Sequence, residues 1–175
     1  MHIEFTQADE QHVEAIVKLV NSAYRGDSSK KGWTTEADLL GGQRVDPEGI
    51  LSDITKENSV ILVAEDEDDN NKLLGCVHLE KREGKCYLGM LTVDPTLQKK
   101  GIGHLLVHES EAFAQYWDCS HIFMTVISVR SELIDWYTKL GFRNTGEKRP
   151  FPYGDERFGI PKVDNLEFVV LEKKI

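Results

Sequence analysis

The sequence predicts a mixed α/β fold, and three observations carry that prediction. Runs of β-branched and other apolar residues, such as Val60-Ile61-Leu62-Val63-Ala64 and residues 87–93, have the pattern of buried strands. Other runs place apolar residues at i, i+3, i+4 and i+7, notably Val13, Ile16, Val17 and Val20, as an amphipathic helix does. The two patterns intersperse along the chain, with no internal repeat, low-complexity linker or domain break between them. The 175 residues suit one domain over 1–175, long enough to bury a sizeable core.

Taken in order, residues 2–5 are expected to form a first short strand. Thr6-Gln7-Ala8-Asp9 fits the [ST]-x-x-[DE] start of a helix that ends near residues 21–26. Residues 26–42 collect polar turn formers and glycines around Trp33, with Thr34 or Thr35 placed to cap a short helix through Leu40. Asp46-Pro47 opens a helix with proline in its first turn and Ile50, Leu51 and Ile54 on one face. Strands follow at residues 59–65 and 73–80, joined by the acidic loop 66–71, which reads as solvated because it lacks the glycine-turned spacing of a calcium loop. A turn at residues 82–85 leads back into a strand over 86–93, which Asp94-Pro95 ends. The next helix sets Ile102, Leu105, Leu106, Ala112, Phe113 and Tyr116 on its core stripe. Residues 122–127 form a strand. Ser128 or Ser131 then caps a helix to Leu140, with Gly141 at its C′ position. Residues 142–149 and 165–171 are the last two strands.

Composition removes several functions. The net charge of −9 argues against a nucleic-acid surface, which needs a basic patch. It suits solubility and is compatible with cationic acceptors. No apolar run reaches the ~18 residues of a membrane span. Residues 1–4 carry neither a basic start nor an apolar signal region, so the expected location is cytoplasmic. Cys76, Cys86 and Cys119 have no metal-ligand spacing and read as buried free thiols in a reducing compartment. No metal is expected.

The informative stretch is residues 90–108. A strand, a turn and then Gly101 and Gly103 opening a helix leave amide N–H groups pointing outward at the positive end of the helix dipole. Lys99 and Lys100 add charge at the same place. This is a cradle for phosphate or pyrophosphate. Neither the dinucleotide G-x-G-x-x-G nor the P-loop pattern is present.

Gln98-Lys99-Lys100-Gly101-Ile102-Gly103 resembles instead the Q/R-x-x-G-x-G motif of the GNAT superfamily of N-acetyltransferases. Residues 130–142, with Tyr137 and Gly141-Phe142 in a Tyr-x-x-x-Gly-Phe pattern, resemble that superfamily's later helix, in the order expected. The resemblance implies a mixed, mainly antiparallel twisted sheet flanked by helices and splayed between its fourth and fifth strands. It implies acetyl-coenzyme A as co-substrate. The pyrophosphate would lie on residues Gln98, Lys99, Lys100, Gly101, Ile102, Gly103 and His104, and the pantetheine arm would pair with the backbone of Leu91, Thr92 and Val93. Tyr137 would sit near the coenzyme sulfur and return a proton to the leaving thiolate. Arg130 stands where many members carry an asparagine that contacts pantetheine; an arginine there can meet phosphate or Glu132 instead.

The base is less defined. Where some members carry a glutamate on the motif strand, this chain has Tyr87. Glu80 and Glu36 remain as candidates acting through a water, while His78, on the same strand face as Glu80, reads as structural. Residues 25–44 fall where the superfamily shapes its acceptor pocket, with Trp33 as an aromatic face and Glu36 as the carboxylate nearest the amine. Trp33 equally suits pinning the loop to the body. The expected partner is a small-molecule amine, with neither nucleic acid nor membrane; a homodimer stays open. The alternatives are acetylation of protein N-termini or lysines, which needs an open groove, and a non-catalytic acyl-coenzyme A sensor.

Overall fold

The computed structural model describes residues 1–98, 100–155 and 159–175. Its main sheet has seven strands: β1 (Ile3–Gln7), β3 (Ser59–Asp66), β4 (Lys72–Arg82), β5 (Lys85–Val93), β6 (His121–Ile127), β9 (Glu167–Lys174) and β7 (Arg143–Pro150), in that spatial order. A two-residue ribbon joins β2 (Leu40–Gly41) to β8 (Ile160–Pro161). All pairings in the main sheet are antiparallel except β5 with β6. Strand β3 is buried on both faces, and its alternation divides the core. Leu62 and Ala64 pack with Leu79, Leu106 and Phe142 beneath α4 (Ile102–Tyr116) and α5 (Ser131–Lys139). Ile61 and Val63 pack with Ile16, Val20 and Ile50 beneath α1 (Val13–Tyr24) and α3 (Pro47–Thr55).

The parallel pairing of β5 and β6 is limited to Cys86 with Ile122 and Tyr87 with Phe123. Past that joint the fourth and fifth strands of the sheet diverge, which is the expected splay. Every strand and long helix foreseen is present. The cap of α3 is also as expected: Asp46 Oδ1 accepts from Gly49 N at 2.7 Å, with Pro47 beginning the helix.

Local differences have identifiable causes. Thr6 does not start a helix; β1 continues through Gln7, and Asp9 caps the following 3-10 turn in a reciprocal box with His12. No helix runs from Thr34 to Leu40. Thr35 Oγ1 accepts from Ala37 N and starts a single turn, because Leu40 is drawn into β2; the helix here is the short α2 (Gly26–Ser29). In α4 the stripe is rotated: Leu105 and Tyr116 are exposed, while Ile102, Leu106, Val107, Ser110 and Ala114 are buried. Ser110 is tolerated inside because its hydroxyl donates to Leu106 O at 2.7 Å. Neither Ser128 nor Ser131 caps α5; Arg130 occupies that position and sends its side chain elsewhere. All three cysteines are free and buried, and burial pushes the Cys76 and Cys86 thiols up to about 12, which leaves them inert.

Candidate active site

The site forms where β5 leaves β6. His78 pairs with Gly89 and Cys76 with Thr92, so Val77 faces both Met90 and Leu91, a bulge with Met90 at φ 57°. Among the described residues, no strand pairs with the outer edge of β5 beyond Tyr87. Its backbone is therefore open to an extended ligand arm, as the Leu91–Val93 expectation requires. Two side chains already meet this segment: Tyr24 Oη donates to Leu91 O at 2.7 Å, and Gln98 Nε2 to Val93 O at 3.2 Å.

The cradle follows. Gly101 is the N-cap of α4 at φ +84° and offers no side-chain cap, so the first-turn amides stay available to an anion. A Cβ at Gly101 would touch nothing within 4 Å; the backbone angle, not space, calls for glycine. At Gly103 a Cβ would lie 3.4 Å from the Trp136 ring. His104 stacks on Trp136, with ring centres 5.1 Å apart. Lys100 is exposed, and Lys99 lies outside the described residues.

The loop after α1 closes over both halves. Trp33 N donates to Gln98 Oε1 at 2.8 Å, and Gly32 passes so close that a Cβ there would meet Gln98 Oε1 at 2.3 Å. Arg130 Nη2 donates to Thr34 Oγ1 at 2.7 Å, and Thr34 Oγ1 in turn donates to Glu132. Glu36 is clamped between two arginines: Arg25 Nη1 donates to Oε1, and Arg130 Nη1 to Oε2 at 2.8 Å. All three are buried. Burial lowers the Arg25 guanidinium, an effect that Glu36 opposes. Arg130 therefore meets Glu36, Thr34 and Glu132, and Glu36 is a structural link between loop and helix as well as a cavity wall.

Two cavities flank this link. One, of about 650 Å³, gathers Leu91, Thr92, Val93, Gln98, Gly101, Ile102, Gly103, His104, Arg130, Trp33, Glu36 and Tyr137 from the expected set. Trp33 stands on this side, 6.2 Å from Trp136, and does not line the other cavity. The second, of about 410 Å³, lies between α1, α3, β5 and β6. Tyr24, Glu36, Leu91, Arg130, Leu133 and Tyr137 line both.

Tyr137 is therefore at the junction. It is 5% exposed, and burial pushes its phenol far above the ordinary value, so it keeps its proton. Its position is fixed through the backbone. Gly141 at φ +99° lets Gly141 N reach Thr138 O and Phe142 N reach Tyr137 O, a Schellman end that explains the Tyr-x-x-x-Gly-Phe spacing.

Glu80 sits apart from both cavities, although its partners Lys56, His78 and Arg82 line the smaller one. Its Oε2 is 3.0 Å from Lys56, 3.2 Å from Arg82 and 3.6 Å from His78. Partial burial acts to raise its carboxyl, but the hydrogen bonds from Arg82 and Lys56 win and hold it below the usual range. His78 is pushed down by burial against the pull of Asp53 and Glu80; its Nε2 lies 2.9 Å from Ser59 Oγ. A neutral imidazole thus lines the smaller cavity. Nothing in the sequence pattern marks the Arg25–Glu36–Arg130 clamp or Tyr24 reaching Leu91. Trp136, also missed, had a usable signal, its place at i+3 from Leu133 on the face that carries Tyr137.

No curated protein matches the sequence. A profile described as the acetyltransferase (GNAT) family matches residues 9–142. Solved structures share the fold. PaiA N-acetyltransferase from Thermoplasma acidophilum, in complex with coenzyme A, is 18% identical over 100% of both chains with a TM-score of 0.70. An N-acetyltransferase from Staphylococcus aureus Mu50 is 15% identical over 99% of each chain, at 0.72. The ribosomal-protein-S18-alanine N-acetyltransferase from Escherichia coli is 13% identical, covering 99% of this chain and 94% of its own, at 0.71. With the family profile spanning most of the chain, and with the glycine-opened cradle, the free edge of β5 and the buried tyrosine on one cavity, the chain belongs to the GNAT acetyltransferases, acyltransferases whose donor is acetyl-coenzyme A.

Proposed function

We propose that the chain moves an acetyl group from acetyl-coenzyme A to the primary amine of a small molecule. The observation that carries this reading is the pair of cavities that meet at Leu91 and Tyr137. The larger has the cradle and the open strand edge. The smaller, at about 410 Å³, is within the size range of small-ligand sites and is walled by the loop of residues 25–44.

Bound acetyl-coenzyme A supplies an acyl thioester. The amides opening α4 would hold its pyrophosphate, and the Leu91–Val93 backbone would align its arm. Tyr137, which holds its proton in the buried junction, serves as the acid for the departing sulfur. The acceptor's ammonium must lose a proton, and neutral His78, which lines the smaller cavity and is backed by Glu80 at 3.6 Å, takes it. Glu80 acts through that contact, consistent with its own distance from the cavities. The test is an acetyl-transfer screen over amino acids, polyamines, aminoglycosides, arylamines and peptides, read as thiol release. Thiol release with a small amine is expected. Turnover of peptides alone, or tight acetyl-coenzyme A binding with no turnover in any class, defeats the proposal.

A further inference from the structure

The described side chains that line the smaller cavity include more cations than anions. The protein is net −9, yet the described residues lining this cavity include Arg25, Arg44, Lys56, Arg82 and Arg130 against Glu36, Asp46 and Asp53. Their neutralisation is uneven. Lys56 and Arg82 both reach Glu80, and Lys56 also reaches Asp53. Arg25 and Arg130 both bind Glu36. Arg130 Nε is buried without a hydrogen bond, with Glu132 Oε1 no nearer than 3.9 Å. The Arg44 guanidinium enters no ion pair among the described residues; it lies over the Tyr24 ring, 5.4 Å from its centre.

A simple ammonium acceptor would leave the Arg44 guanidinium without an ion pair among the described residues. A ligand that also carries an oxyanion replaces the hydration that a walled guanidinium loses, through a charge-assisted and often bidentate pair. Tyr24 connects that cation to the reacting junction. Its ring carries Arg44, and its hydroxyl holds Leu91 O, in the wall shared by both cavities. The rest of the lining, including Leu40, Met124, Phe151 and Phe168, is apolar.

We propose, resting on the function above, that the acceptor is an amino acid: its carboxylate pairs with Arg44, its amine faces Tyr137, and its side chain lies on the apolar wall. The experiment measures thiol release by the full chain for the common amino acids, each beside its carboxamide and its decarboxylated amine. At least one amino acid should show kcat/KM tenfold or more above both analogues. Arg44→Gln should raise KM for that amino acid at least tenfold, collapse its advantage over the amide and leave KM for acetyl-coenzyme A unchanged. Arg44→Lys should restore part of the preference. Circular dichroism and melting of both variants check that they are folded; the fold of the Lys variant suffices for the comparison with amides. Equal use of acid and amide, an acid preference that survives Arg44→Gln, or no acetylation of any amino acid overturns the inference. Acetylation of an anion-free amine in the same panel leaves the proposed function standing, whereas failure of acetyl-coenzyme A to bind removes both.

Discussion

The two cavities are built by different means. The larger rests on backbone: a strand edge released by a bulge, and a helix start held open by Gly101 in the left-handed region. The smaller rests on side chains far apart in sequence, with Glu36 meeting Arg130 and Lys56 meeting Glu80. Backbone recognition suits a ligand shared by a whole family, since it depends on glycine positions and register rather than on side-chain identity. Side-chain recognition can change with each loop, and the acceptor need not follow the fold. The comparison also shows where damage should propagate. Loss of Glu36 in the smaller cavity disturbs a network that holds the loop, while substitutions around the cradle should act through volume at Gly103 and through backbone angle at Gly101.

Five variants test that contrast, beginning with the junction. Tyr137→Phe should lower kcat by ~10²–10⁴-fold while leaving coenzyme A affinity nearly unchanged. Equal turnover, with chemistry shown to be rate-limiting, would remove the tyrosine from the reaction. Glu36→Gln leaves two buried guanidiniums without their carboxylate and should cost about 3–5 kcal/mol in urea unfolding. Glu80→Gln, in a more exposed ion cluster, should cost less than about 1 kcal/mol. If the two carboxylates cost the same, the clamp is not what holds the loop. Gly103→Val pushes branched carbons toward Trp136 and the cradle, and should weaken coenzyme A binding by at least ~10-fold, about 1.4 kcal/mol, by calorimetry. Trp33→Ala sharpens the comparison further: because Trp33 stands on the larger cavity, KM for acetyl-coenzyme A should rise a few-fold and the acceptor's KM should move less.

The smallest effect concerns pH. Burial lowers the folded-state value for His78, so the unfolded chain binds its proton more readily. The stability secured by the neutral imidazole is complete above its ordinary value of about 6.5 and is lost as pH falls through the lower folded value. Melting temperature should therefore be level from neutral pH upward and decline on the acid side, with the decline reduced in His78→Asn. A profile that is the same in both proteins would show that His78 is not the group responsible.

What could be read beforehand follows the same division. Gly101, Gly103, Tyr137 and Gly141 were legible because local backbone geometry imposes their spacing. The strands were legible because both faces of β3 are apolar. Residues 26–42 were not, since the course of that loop is set by partners such as Gln98 and Arg130, and no periodicity encodes a long-range ion pair. The stripe of α4 was misplaced for a simpler reason: Ser110 is polar by type but satisfies itself on Leu106 O. Trp33 was visible as an aromatic residue in a polar loop, but its side of the site depends on a hydrogen bond from its own backbone.

The two-pair joint between β5 and β6 has a practical consequence for anyone trimming the chain. The family match ends at residue 142, before β7 and β9. A fragment cut there would keep β6, whose sequence His-Ile-Phe-Met-Thr-Val-Ile pairs along its whole length with β9 and with β5 at only two positions. Removing β9 would strip an apolar strand of its partner and leave an unprotected template for strand addition. Such a fragment should form insoluble aggregates when expressed, even though it contains every residue proposed here to touch the coenzyme. The last thirty or so residues act as the hem that keeps this sheet from growing.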